Sequence, residues 1–193
     1  MRAAPQLELP GFDPPTPTDR LMFLLYPDVA TAERIAAEAR RLRATLGLAG
    51  QPLQTDRFHV TLHHLGDYVG LPSDTVRKGR EAGAALSASR FEVVFDRAMS
   101  FANRPGNNPF TLQGDQGLQA LIAFQARLGQ EMAKVGLKPD RAFVPHVTLL
   151  YDGQIAPQQP ITPIGWTVDR VALVQSKLGQ SRHIVLDAWD LAD

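Results

Sequence analysis

Apolar residues along this chain gather in short blocks separated by turn formers, and the blocks switch between strand-like and helix-like spacing. Leu21–Tyr26 is an unbroken apolar run closed by Pro27, which predicts a buried strand followed by a helix opening near Asp28. From Thr31 to Leu46 the chain is rich in Ala, Glu, Arg and Leu, with Ile35, Leu42 and Leu46 on one helical face, and Gly47 and Gly50 end the helix. Phe58–Leu65 reads as a second strand with Gly66-Asp67 as its turn, and Ser73 as the cap of a helix running to about Leu86. Phe91–Phe95 alternates as a strand does; dense turn chemistry from Asn103 to Pro109 then leads into Phe110-Thr111-Leu112, as in a hairpin with a long tip. Gly117–Val135 carries Leu118, Leu121, Ile122, Leu128 and Met132 at helical spacing and stops at Gly136 and Pro139. A strand over His146–Tyr151, a proline-rich loop to Pro163, and strands near Val168–Gln175 and Arg182–Ala188 complete the pattern.

The strands and helices interleave without the strict alternation of a parallel sheet, so the expected class is antiparallel α+β. The order strand, helix, motif strand recurs, which points to two similar lobes. A chain of 193 residues suits one compact domain or two small lobes sharing a core. Residues 1–19 form an irregular Pro-rich lead-in and 20–193 the folded domain. Twenty basic against twenty acidic residues leave no global field for a polyanion, which argues against nonspecific duplex binding but not against a small phosphate ligand. The absence of cysteine rules out disulfides and thiol nucleophiles and is compatible with a reducing cytoplasm. The early residues lack the apolar run of a signal peptide, and no stretch reaches the length of a membrane span.

The chemistry-bearing feature is a repeated phrase, His59-Val60-Thr61-Leu62 and, half a chain later, His146-Val147-Thr148-Leu149. In a strand the side chains alternate, so each copy offers an imidazole beside a hydroxyl while Val and Leu anchor the other face. A lone strand histidine is ordinarily structural. Two copies that each place two polar side chains on one face incur the desolvation cost twice, and such a cost points to use. His63 follows on the same nominal face as His59 and Thr61. Arg57 and Arg141 precede the motifs at distances that make them phosphate-contact candidates, and Tyr151 is placed to stack on a base. Phe58, Phe95, Phe101 and Phe110 are expected in the core, with a rim ring able to stack on a nucleobase.

With their flanks, His59–Asp67 and Pro145–Asp152 resemble the two motifs of the two-histidine (2H) phosphoesterase superfamily, and within it the bacterial RNA 2′,3′-cyclic phosphodiesterases, also called 2′-5′ RNA ligases. Arg20-Leu21-Met22-Phe23-Leu24-Leu25-Tyr26-Pro27 is similar to that family's opening strand. Two positions depart from its pattern: His64 stands where a Phe is usual and Tyr151 where an Arg is frequent. The resemblance implies a bilobal fold with two antiparallel sheets around a central groove and helices outside. It implies catalysis by His59, Thr61, His146 and Thr148 without cofactor or metal, acting on RNA or nucleotide 2′,3′-cyclic phosphate ends, with His59 protonating the leaving 3′ oxygen and His146 activating water. No protein partner is implied.

Imidazole suits both proton transfers because its ordinary pKa lies near neutrality. A metal hydrolase built on His59, His63, His64 and His146 is disfavoured, since adjacent strand histidines face opposite sides. Gly114-Asp115-Gln116-Gly117 lacks the Lys of a nucleotide P-loop. A binding protein without turnover, or an enzyme acting on ADP-ribose cyclic phosphate, would use the same donors.

Overall fold

The structure is a computed structural model and describes residues 15–102 and 106–193. Most of the Pro-rich lead-in, and part of the long hairpin tip at 103–105, lie outside the described residues. Among the described residues eight strands and three α-helices run in the order β1 (Asp19–Leu25), α1 (Val29–Leu46), β2 (Val60–Tyr68), α2 (Ser73–Ala85), β3 (Phe91–Ser100), β4 (Asn108–Gln113), α3 (Gln119–Lys134), β5 (Val147–Asp152), β6 (Gln159–Val168), β7 (Arg170–Lys177) and β8 (Arg182–Asp190).

They form two antiparallel four-stranded sheets, ordered β2-β1-β7-β8 and β5-β4-β3-β6. Each lobe therefore carries one histidine motif on an edge strand, with its antiparallel neighbour next to it. The lobes are not sequence halves, because the second sheet is built from the middle of the chain and the first from its two ends. α1 leaves the first sheet and lies against β5 and β6 of the second. α3 leaves the second sheet and lies against β2 and β3, while α2 packs on β7 and β8. These crossings give the lobes one shared core, in which Phe23, Ile35 and Leu62 join Phe95, Phe110 and Leu149.

Local chemistry explains most element ends. Asp28 caps α1, its Oδ1 accepting from the Thr31 backbone N–H at 2.8 Å, and Gly47 closes it in the left-handed region at φ 65°. The expected Ser73 cap does not form: Ser73 is the first residue of α2, Pro72 precedes it, and no side chain caps that end. Ile122 is exposed on α3, off the face that buries Leu121, Leu128 and Met132. The largest correction concerns β6. Three prolines suggested a loop to Pro163, yet Gln159–Val168 pairs with β3 along its length. As the edge of its sheet β6 has a side free of ladder bonds, where Pro160 and Pro163 remove no needed donor.

Gly66-Asp67 is likewise not a turn. β2 continues through it to Tyr68, bulging at Leu65 as it passes.

Candidate functional site

Each motif strand is interrupted at the same place. Against β1, Thr61 lies opposite Leu24 and His63 opposite Phe23, so Leu62 is an extra residue; against β4, Thr148 lies opposite Thr111 and Leu150 opposite Phe110, so Leu149 is extra. A bulge of this kind turns the following residues over to the other face. In both repeats Thr looks into the groove, and the next two residues, Leu62-His63 and Leu149-Leu150, are buried in the core. The expectation that His63 shares a face with His59 and Thr61 fails for this reason.

His63 instead has no exposed surface, and its partners fix its tautomer. Nδ1 accepts the Asp140 backbone N–H at 3.1 Å, so the proton is on Nε2, which donates to the Gln125 carbonyl at 3.0 Å. The Gln125 amide donates to the carbonyls of Leu62 and Asp140, and the Asp140 carboxylate accepts the His64 N–H at 2.7 Å. This network ties β2 to α3 and to the loop that carries Arg141 and leads into His146. Burial pushes the His63 pKa below its ordinary value, in keeping with a neutral ring.

The two motif histidines are held alike. His59 Nδ1 meets the carbonyl of Arg57 at 2.6 Å, and His146 Nδ1 meets that of Val144 at 2.7 Å, each two residues upstream. A carbonyl only accepts, so Nδ1 bears the proton in both rings and Nε2 is the nitrogen left to take or give one. His146 packs its ring edge-on against Phe101 at 5.2 Å, while Phe58, Phe95 and Phe110 are buried in the core as expected. Thr61 and His146 line one open cleft of about 530 Å³ together with Arg141, Asp140 and Lys138. Thr61 and Thr148 are half-buried, on the strand faces opposite the core residues Val60 and Val147, and their hydroxyls have no hydrogen-bond partner among the described residues.

Burial lowers the pKa of both rings. It brings His59 to about 4, with Arg57 and His146 adding repulsion against the bonded carbonyl's opposing pull, and it lowers His146 in the same direction. Arg57 contributes positive potential to Tyr26, His59 and His183, and its guanidinium Nη1 is buried without a partner among the described residues. Tyr151 is exposed on the groove face of β5, at the repeat position equivalent to His64 on β2. His64 bonds Asp67 at 2.8 Å; Asp67 also accepts a two-pronged bond from Arg20 at 2.7 Å, which holds its carboxylate pKa at about 2. Among the described residues no three His, Cys, Asp or Glu converge as a metal site.

Two neighbours of the site were not singled out in the sequence. His183 on β8 lies 5.1 Å from His59, ring edge to face, and Tyr26 bonds His183 at 3.0 Å. The signal for His183 was faint, because it stands alone, far from either motif in sequence.

The family model described as the 2′-5′ RNA ligase superfamily matches residues 27–180. The chain belongs to that superfamily. No curated protein sequence matches it at a significant level. Among solved structures, one titled phosphoesterase is 24% identical with a TM-score of 0.71, covering 92% of this chain and 100% of that one. Escherichia coli LigT complexed with 3′-AMP is 25% identical with a TM-score of 0.68 and the same coverages. TT0787 of Thermus thermophilus is 20% identical with a TM-score of 0.64, covering 89% of this chain and 97% of the other. The bilobal arrangement of two antiparallel sheets is thus the fold of the 2′-5′ RNA ligase superfamily. No helix among the described residues is long and apolar enough to cross a membrane.

Proposed function

We propose that this 2′-5′ RNA ligase superfamily member is a cyclic phosphodiesterase that opens 2′,3′-cyclic phosphate ends of RNA or nucleotides by acid–base catalysis between His59 and His146. The observation that carries the reading is the matched geometry of the two motifs. Each imidazole is locked by Nδ1 onto a carbonyl with Nε2 free, and each is followed by an unpartnered groove-facing Thr hydroxyl. A strained cyclic phosphodiester needs one group to take a proton from water and one to give a proton to the departing ribose oxygen, and two such nitrogens fill both needs. Thr61 and Thr148 then donate to phosphoryl oxygens as charge builds there. Arg57 supplies positive potential on the His59 side, Arg141 lines the cleft, and Tyr151 offers a ring to a base. His63 is withdrawn from substrate by its buried network.

Solved structures of Escherichia coli LigT hold 3′-AMP, ATP, NADP+ or phosphate. Ligands of that kind carry phosphate, and they suit a groove that presents hydroxyls and imidazoles with Arg57 and Arg141 beside them. Burial lowers the pKa of both rings, and the negative charge of a bound substrate raises that of the ring beside it, so the proton for the leaving oxygen is taken up from solvent as the substrate binds. We assign that acid role to His59 and the water-activating role to His146, which leaves the phosphate on the 2′ oxygen; the reverse reaction joins ends through a 2′-5′ bond.

The test is a panel of 2′,3′-cyclic substrates, comprising mononucleotides, an RNA end and ADP-ribose cyclic phosphate, with the product read by phosphorus NMR. Ring opening to the 2′-phosphate is expected. Binding of every member with no opening of any would make this a nucleotide-binding protein instead.

A further inference from the structure

The two strand starts that carry His59 and His183 lie on opposite edges and at opposite ends of the first sheet. They meet because the twisted sheet curls its diagonal corners toward each other over the groove face. Beneath them is a small apolar floor of Met22, Leu24, Ala172 and Val174, separate from the main core and flanked by Tyr26. His183 belongs to this face, since it pairs with Ser176, which pairs in turn with Arg20. The meeting of a third ring with His59 is therefore produced by the sheet itself. It lies beyond the stretch that matches the family model, which ends at residue 180.

The tautomer of His183 follows from its one partner. The Tyr26 hydroxyl has no other acceptor among the described residues, and burial pushes its pKa up to about 12, so it stays protonated and donates to His183 Nδ1. The ring proton of His183 is then on Nε2. That atom has no partner among the described residues and is not shut away from solvent. Burial and the neighbouring His59 and Arg57 hold the His183 pKa at about 4, so near neutrality it is a fixed, uncharged donor. His59 has the opposite arrangement, with the proton on Nδ1 and Nε2 free to exchange one. With ring centres 5.1 Å apart, the two imidazoles can each reach a different oxygen of one phosphoryl group through bonds of about 2.8 Å.

We propose that His183 is a third histidine of the site, held by Tyr26 as its Nε2–H tautomer so that it donates to a phosphoryl oxygen of the bound phosphodiester on the His59 side. This rests on the two-histidine reading above and adds a substrate-positioning donor that does not itself exchange protons. Such a donor serves bound phosphate in substrate and product alike, so its loss weakens affinity first and turnover second.

The experiment measures binding of adenosine 2′-monophosphate by calorimetry to the whole protein and to His183→Phe, His183→Gln and Tyr26→Phe. His183→Phe keeps a ring against His59 and removes both nitrogens; it is expected to weaken binding ten-fold or more. His183→Gln, whose amide N–H falls near the place of Nε2, is expected to recover most of the loss, and Tyr26→Phe to give a smaller loss by releasing the tautomer. On the unaltered protein, long-range proton–nitrogen NMR is expected to show His183 protonated at Nε2 and unprotonated at Nδ1, with Nε2 shifting when inorganic phosphate is added. Unchanged affinity in His183→Phe, a proton on Nδ1, or an Nε2 signal indifferent to phosphate would overturn the proposal, and the NMR arm decides should a variant fail to fold. Phosphate that binds and moves Nε2 in a protein that opens no cyclic phosphate would uphold His183 as a phosphate donor while refuting the activity.

Discussion

What His59 and His146 can do is decided by a contact two residues long. The carbonyls of Arg57 and Val144 claim the Nδ1 protons, and that choice leaves each Nε2 without a partner among the described residues. The placement of the two imidazoles and the two hydroxyls was legible from the repeated phrase alone, because strand alternation puts His and Thr on the face opposite the apolar anchors. The supporting residues were less so: His63 went to the core, His183 emerged only from the curl of the sheet, and Phe101 was one of four equivalent aromatics until it packed on His146. Thr→Val at 61 or 148 keeps shape and strand propensity and deletes the donor. Each change is expected to lower turnover by a factor of about ten or more, on the order of 1.4 kcal/mol, with melting temperature nearly unchanged. Normal turnover with a markedly lower melting temperature would make these hydroxyls structural. Since burial lowers the pKa of both imidazoles and a phosphodiester of fixed charge raises that of the ring beside it, binding draws in a proton. Its affinity is expected to rise by up to about ten-fold per pH unit as pH falls from 8 toward 6; calorimetry in buffers of different ionisation enthalpy counts the proton, and a pH-independent affinity would show that none is taken up.

At the scale of elements, the helices and the strands of the first sheet were readable from periodicity, and the reading failed at bulges and at an edge strand. An alternating pattern predicts faces only while the ladder is regular, and the bulges at Leu62 and Leu149 insert a residue that no composition signal marks. β6 was hidden by prolines that an edge strand tolerates. The first bulge has a measurable consequence. His63 occupies the core position held by Leu150 in the other repeat, and there it satisfies groups on α3 and on the loop before β5. His63→Leu takes the acceptor from the Asp140 N–H and the side-chain donor from the Gln125 carbonyl, so a loss of about 1–3 kcal/mol in unfolding free energy is expected, with turnover per folded molecule little changed. Denaturant titration alongside initial rates checks this. Full stability with turnover abolished would place His63 on the substrate after all.

For the molecule as a whole, crossing helices bind two lobes into one core, and the lobes' edge strands bring the repeated motif to both sides of a groove. Acid acts on this arrangement in two windows. His59 and His183 have folded pKa values of about 4 against about 6.5 for an unfolded histidine, so the unfolded chain binds protons more readily and stability declines as pH falls from about 6.5 to 4. Asp19 and Asp67, held at about 2 chiefly by Lys177 and Arg20 respectively, withdraw their contributions only below about pH 4. Melting temperatures across pH 7 to 4 are expected to fall, and to fall less in His183→Phe; a flat profile would contradict the buried neutral rings.

The most direct test of the central claim is the rate of 2′,3′-cyclic nucleotide opening in the presence of EDTA by the unaltered protein, His59→Ala, His146→Ala and the double variant. The account predicts full activity in chelator, a loss of roughly 10²–10⁴-fold in either single variant, and a double variant little worse than the singles, because the two groups act as one unit. Near-normal turnover in either single variant, or activity that vanishes with EDTA and returns with zinc or manganese, would contradict it.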